Sequence, residues 1–197
     1  MTIANYFTFL RILLTPVFLI IYVLHNSLGI SDIILPYVLL LIMGLNEASD
    51  ACDGYLARKL NQVTDFGKIV DPMADSISRL TYFLSFTTGP VQLPLLLVFV
   101  FLYRDAVIST LRTLCALRGF ALAARGSGKL KAAIQFIAVV IILTSMIPHS
   151  LGYITTATLQ TVGASATAVA AIFTLYSWFD YIYANRDYVK RLIFEKP

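Results

Sequence analysis

Four aspartates are spaced so that their carboxylates can act together. Asp50 and Asp53 are three residues apart and Asp71 and Asp75 are four apart, so each pair lies on one face of a helix. No Lys or Arg lies within either pair, and four converging carboxylates would repel one another without an added cation. Hard oxygen ligands favour Mg²⁺ or Mn²⁺ over Zn²⁺. The spacing therefore predicts a divalent-metal site.

Small residues and one arginine share the faces that carry the acids. Gly54, Ala57 and Arg58 continue the face of the first pair, and Gly67 lies one turn before Asp71. Small side chains leave room for a bulky ligand to lie against the backbone, and an arginine can bind a phosphate oxygen. Together with a metal, these residues indicate a site for a diphosphate.

A purely structural interpretation is open for each acid taken alone. Asp50 and Asp53 could be surface charges at a helix end, and Asp71, which precedes Pro72, could cap a helix N-terminus. This interpretation does not account for the whole set with its shared faces, so we favour the metal site.

The composition places these acids in a membrane protein. Of 197 residues, 58% are hydrophobic and 13% are charged, with a mean hydropathy of +0.79, whereas soluble domains are about 25% charged. This excludes a disordered chain, a disulfide scaffold and a soluble nucleotide-binding fold. The net charge of +4 is attributed to membrane orientation, and no nucleic-acid partner is expected.

Intervals without charged residues locate the expected membrane spans. They cover 12–31, 33–46, 81–103 and 132–179. The last is long enough for two spans, and the interval 81–103 is shared by two predicted helices that extend beyond it on either side. The sequence predicts an all-α, integral membrane fold, a single domain over 1–197 with six transmembrane helices near 6–25, 33–58, 71–88, 93–118, 130–147 and 157–183.

The cations orient these spans. None of the fifteen Lys and Arg residues lies in the predicted loops 26–32, 89–92 and 148–156, so both termini are expected in the cytoplasm. Trp178, Tyr181, Tyr183 and Tyr188 are interpreted as an aromatic belt at the membrane surface.

The pattern D-x2-D-G-x2-A-R-x8-G-x3-D-x3-D in residues 50–75 resembles the signature of the CDP-alcohol phosphatidyltransferase family. The resemblance implies six transmembrane helices, a homodimer, and a cytoplasm-facing site in the inner membrane. It also implies two metal ions per site and CDP-diacylglycerol as the donor lipid.

The same resemblance assigns roles to individual residues. It implies that all four aspartates are metal ligands, and that Asp75 is also the base that deprotonates the acceptor alcohol. It assigns CDP binding to a set of six residues: Asn5, Thr8, Gly54, Ala57, Arg58 and Gly67.

Three further segments concern the acceptor. They resemble segments of the bacterial phosphatidylglycerophosphate synthases of that family, and they are Asn5-x2-Thr8-x2-Arg11, residues 103–112 and residues 127–135. This chain departs from those segments at two positions, with Asp105 in place of Glu and Ala132 in place of Thr. The three segments imply sn-glycerol 3-phosphate as the acceptor.

Four cations support a phosphorylated acceptor independently. Arg104, Arg112, Lys129 and Lys131 are expected at the cytoplasmic ends of the fourth and fifth helices, where they could bind its phosphate. The alternative is that they only orient the protein in the membrane.

We therefore expect transfer of a phosphatidyl group from CDP-diacylglycerol to sn-glycerol 3-phosphate, with Mg²⁺ or Mn²⁺. Another acceptor, such as inositol phosphate, is the alternative within the family. A cation channel or transporter is the alternative from another class, but its acids would be spread through the membrane depth.

Overall fold

The computed structural model describes the backbone of residues 3–59, 65–117 and 126–186. It describes their side chains except those of 3–5, 7, 51, 53–59, 65–69, 116 and 117. These residues form helices and no strand. The six helices are α1 (Ile3–Leu24), α2 (Leu35–Lys59), α3 (Asp65–Ser85), α4 (Leu95–Leu117), α5 (Gly126–Ser150) and α6 (Thr156–Ala184). The all-helical class predicted from the sequence is confirmed.

The predicted start of the third helix was wrong by six residues. The sequence predicts a helix from 71, but α3 begins at Asp65 and continues through Pro72. The prediction relied on intervals without charge, and these mark the part of a helix that lipid tolerates rather than the part that is helical. For the same reason α5 begins at Gly126, ahead of the predicted 130, and includes Lys129.

Helices α1 and α3 run parallel in a fixed register. Thr8 pairs with Asp71 and Thr15 pairs with Ser78, both 63 residues apart in sequence. Further along, the ring of Phe18 packs against that of Tyr82, with centroids 4.5 Å apart. Helix α2 packs antiparallel against α1, since Arg11 contacts Asp50 and Thr15 lies near Asn46. Helix α1 therefore contacts both helices that carry the predicted acids.

The second half of the bundle is built on α6. Helix α5 packs against it antiparallel, with Gln135 Nε2 donating to Thr174 Oγ1 at 3.1 Å, and α4 lies alongside. The segment joining α3 to α4 also packs closely on α6: a Cβ on Gly163 would lie 3.2 Å from Val91 and 3.3 Å from Leu93. Helix α5 also contacts α2 and α3 and so joins the two halves.

The outer surface of the bundle is apolar. Large side chains such as Leu13, Leu96 and Ile172 are exposed, which a water-soluble protein would avoid over so wide an area. Within the described ranges, α5 and α6 are long and apolar enough to cross a membrane, and Thr8–Leu24 forms a shorter apolar helical stretch. Both findings agree with a membrane protein.

Candidate active site

The acids of α2 and α3 meet a cation supplied by α1. Arg11 Nη1 lies 2.7 Å from Asp50 Oδ1 and also donates to Asp75 Oδ1. One turn earlier, Thr8 Oγ1 donates to Asp71 Oδ1 at 2.8 Å. Three of the four predicted ligands therefore contact the same face of α1.

This arrangement corrects one step of the sequence argument. No basic residue lies between the two acids of either pair, and a metal was taken as the counter-charge. The structure instead supplies Arg11 from α1, about 40 positions before Asp50 and about 60 positions before Asp75 in the sequence. Arg11 is the main site residue that the sequence reasoning passed over, although it ends the N-x2-T-x2-R pattern that begins at Asn5.

A buried polar network supports the site from inside the bundle. Thr15 Oγ1 and Ser78 Oγ are 2.7 Å apart, and Asn46 Nδ2 contacts Tyr82 Oη at 2.5 Å. Thr15 also donates to the backbone carbonyl of Arg11 at 2.8 Å. Buried hydrogen bonds of this kind are costly to break, so they fix α1, α2 and α3 relative to one another directly beneath the acids.

The remaining residues of the acidic motif cannot be placed in the same way. Six of these residues have side chains or surroundings that lie outside the described part of the chain: Asn5, Asp53, Gly54, Ala57, Arg58 and Gly67. Their backbones belong to α2, to α1 and to α3. Their predicted roles stay predictions.

The described part of the site can contribute oxygen ligands to a metal. Among the described side chains, no group of three or more His, Cys, Asp or Glu residues is arranged to hold a metal ion. Asp50 and Asp75 nevertheless place one carboxylate oxygen each at a single cationic nitrogen. Two hard oxygens converging on one positive charge fit Mg²⁺ or Mn²⁺, and Asp71 and Asp53 are the further candidate ligands.

A second polar cluster joins α4, α5 and α6. Arg104 Nη1 and Lys131 Nζ both donate to Asp105 Oδ1, at 2.9 Å and 2.6 Å. Arg104 Nη2 also donates to Ser177 Oγ at 3.0 Å. Both cations are buried, with 9% and 3% of their surface exposed. Two buried cations share one carboxylate, so the three side chains carry a net positive charge.

The other two predicted acceptor cations lie apart from this pair. Arg112 donates through Nε to Tyr181 Oη at 3.2 Å, and its guanidinium lies 5.4 Å from the centre of that ring. Lys129 is exposed, whereas Lys131 is buried. The structure thus brings together Arg104 and Lys131, and it adds Asp105 and Ser177 to them.

Tyr181 differs from its sequence interpretation. It was assigned to an aromatic belt at the membrane surface, but it is 2% exposed and contacts Arg112. Tyr183, on the other side of α6, is exposed. Helical spacing separates the two residues by about 200° around the axis, so one faces the bundle and the other faces outward.

Comparison with known proteins identifies the family. The family model described as CDP-alcohol phosphatidyltransferase matches residues 1–176. A Bacillus subtilis (strain 168) protein named CDP-diacylglycerol–glycerol-3-phosphate 3-phosphatidyltransferase is 33% identical over 195 residues, covering 94% of this chain and 96% of the relative.

Two further relatives carry the same name. The Rickettsia typhi (strain ATCC VR-144 / Wilmington) protein is 32% identical, covering 93% of this chain and 97% of its own length. The Sodalis glossinidius (strain morsitans) protein is 29% identical, with 94% and 96% covered. Because the family model matches most of the chain and the relatives align with nearly all of it, the chain belongs to the CDP-alcohol phosphatidyltransferase family.

Proposed function

We propose that this chain transfers the phosphatidyl group of CDP-diacylglycerol to sn-glycerol 3-phosphate, producing phosphatidylglycerol phosphate and CMP. Relatives named for that reaction align along nearly its full length. The structural observation that carries the proposal is the meeting of Asp50 and Asp75 at one cation position between α1, α2 and α3.

Asp50, Asp53, Asp71 and Asp75 would hold two Mg²⁺ or Mn²⁺ ions. When bound, these ions neutralise charge on the diphosphate and make a nearby hydroxyl more acidic. Support comes from the oxygen donors of Asp50 and Asp75, which share a single positive partner, and from Asp71, which Thr8 orients.

Asp75 is the proposed base. The acceptor hydroxyl oxygen forms a bond to the phosphorus that carries the diacylglycerol, the bond from that phosphorus to the CMP oxygen breaks, and the hydroxyl proton passes to the Asp75 carboxylate. CMP leaves with the electron pair of the broken bond. A carboxylate can take this proton because the hydroxyl is already partly acidified.

The CDP part of the donor is assigned to small residues and polar groups around the acids. Gly54, Ala57 and Gly67 leave space for it, and Arg58 and Asn5 supply polar contacts. Thr8 is the member of this set whose side chain the structure describes, and its hydroxyl contacts Asp71. Thr8 would therefore contact CDP-diacylglycerol beside the Asp71 carboxylate.

Arg104 and Lys131 are the proposed acceptor-phosphate residues, whereas Arg112 and Lys129, which the sequence predicts with them, lie apart from this pair. Support is strongest for Arg104 and Lys131, because both are buried and together they exceed the charge of Asp105. A phosphorylated acceptor benefits from this excess, whereas a neutral alcohol would not.

The protein is proposed to cross the inner membrane six times, with both termini and the active site on the cytoplasmic side. The segments joining α1 to α2, α3 to α4 and α5 to α6 contain no Lys or Arg, as expected for the outer side. A homodimer is proposed from the family resemblance, and light scattering of the detergent-solubilised protein tests it.

Cysteine labelling tests this orientation. In a background lacking Cys52 and Cys115, Ser27→Cys should react with a membrane-impermeant maleimide in intact spheroplasts. Gly126→Cys should react only after the cells are permeabilised. Both positions are exposed, so access to the reagent depends on the side of the membrane. The reverse labelling pattern would contradict the proposed orientation.

An acceptor assay tests the reaction. Purified protein, CDP-diacylglycerol and Mg²⁺ should convert labelled sn-glycerol 3-phosphate into labelled lipid, with one CMP released for each lipid formed. Release of CMP with inositol phosphate alone would retain the family chemistry and reject the acceptor. No CMP with any alcohol would reject the proposed function.

A further inference from the structure

Arg11 has no part in the proposed reaction, yet it occupies the centre of the acidic site. Its Nη1 lies 2.7 Å from Asp50 Oδ1 and in direct contact with Asp75 Oδ1. Two carboxylate oxygens that meet at one positively charged nitrogen are arranged as they would be around a shared metal ion. The guanidinium therefore stands where a cation bridging α2 and α3 would stand.

The guanidinium and the carboxylates reach this position from opposite sides. The Arg11 side chain is 2% exposed, whereas those of Asp50 and Asp75 are 44% and 31% exposed. Arg11 thus approaches from within the bundle, and the acids remain open toward solvent. The two carboxylates are therefore partly accessible to a solvated ion.

We infer that Arg11 is a resident counter-cation that competes with a divalent ion for the oxygens of Asp50 and Asp75, and that its guanidinium withdraws when the ion binds. This inference rests on the metal site of the proposed function. It makes Arg11 a positioning residue with two opposite effects. It stabilises the metal-free protein by pairing the acids, and it weakens metal binding because like charges a few ångströms apart repel.

Other contacts of α1 allow the guanidinium to withdraw without loosening the helix. Thr8 pairs with Asp71 one turn before Arg11, and Thr15 pairs with Ser78 one turn after it. Both contacts join α1 to α3 independently of the Arg11 side chain. A change of the Arg11 rotamer would leave both contacts in place.

The test compares Arg11→Gln with the matched variant Arg104→Gln, which removes another buried arginine from a different cluster. Full-length proteins in detergent micelles are stripped with EDTA. Their thermal unfolding is then followed without metal, and Mn²⁺ binding is titrated by electron paramagnetic resonance. Both variants should unfold about 5 °C lower than the wild type, because each loses a buried ion pair. Only Arg11→Gln should bind Mn²⁺ more tightly, by about tenfold, because its repulsive charge is gone.

Equal or weaker Mn²⁺ binding by Arg11→Gln would overturn the inference and leave Arg11 with a structural role alone. No Mn²⁺ binding by the wild type would overturn both this inference and the proposed metal site, whereas a failed acceptor assay with normal Mn²⁺ binding would reject only the proposed reaction. If Arg11→Gln does not fold, Arg11→Lys replaces it. Its single flexible ammonium group should withdraw more easily and tighten Mn²⁺ binding at least about twofold, and unchanged or weaker binding would again overturn the inference.

Discussion

Asp75→Asn is expected to lower kcat for CMP release by about 10³-fold or more. Asn has nearly the shape of Asp but cannot accept the acceptor's proton, and a positioned base contributes about 10²–10⁴-fold to such a reaction. It is also a poorer ligand for a divalent ion because it has no charge. Initial rates with saturating CDP-diacylglycerol, sn-glycerol 3-phosphate and Mg²⁺ provide the measurement.

Asp32→Asn is the matched control for this variant. Asp32 lies at the opposite end of the bundle, is exposed, and contacts His25 at 3.0 Å. The same chemical change there should leave kcat within about twofold of the wild type, because surface ion pairs contribute little to stability. More than a tenth of normal activity in Asp75→Asn would contradict the role of Asp75 as the base.

Arg104→Gln and Lys131→Gln are each expected to raise KM for sn-glycerol 3-phosphate by about 10–100-fold. A hydrogen bond to a charged group contributes about 1.5–3 kcal/mol, and each variant leaves Asp105 with one cation instead of two. KM for CDP-diacylglycerol should change little. Steady-state rates at varied acceptor concentration separate the two constants.

Two comparisons sharpen this prediction. Lys129→Gln should have a smaller effect than Lys131→Gln, because Lys129 is exposed and Lys131 is buried. Arg186→Gln is the control for loss of a positive charge, since Arg186 is exposed beside the Tyr183 ring at the end of α6. Similar increases in KM for all these variants would indicate a general electrostatic effect rather than a binding site.

Local sequence patterns predicted the number of helices better than the residues at which the helices begin and end. Charge-free intervals reflect what lipid accepts, and together with the polar residues that extend them they led to six helices, as the described residues form. The division between α5 and α6 followed from the length of the interval 132–179, and Gly152 adopts a positive φ of 78° just after α5 ends. The early start of α3 was missed because Asp65 and Lys68 are compatible with a helix but not with lipid.

The role of Arg11 could not be read from local periodicity. Its contacts depend on the register between α1 and α3, which is set by packing of residues such as Phe18 and Tyr82. Helical spacing showed which acids share a face, but it carries no information on which neighbouring helix will cover that face.

Helical spacing already separates the two lysines predicted for the acceptor site. Lys129 and Lys131 are two residues apart, which places them about 200° apart around α5. They could not both face one pocket from regular helical positions. Ser177 gave no signal, because a lone serine in an apolar helix has many structural roles.

The most direct test of the proposed reaction is the identity of the lipid formed in competition. Purified protein receives CDP-diacylglycerol, Mg²⁺ and equimolar sn-glycerol 3-phosphate and inositol phosphate, and the lipid products are identified by mass spectrometry. The proposal predicts phosphatidylglycerol phosphate as the dominant product, in amounts equal to the CMP released. A dominant inositol-phosphate lipid, or no lipid product, would contradict it.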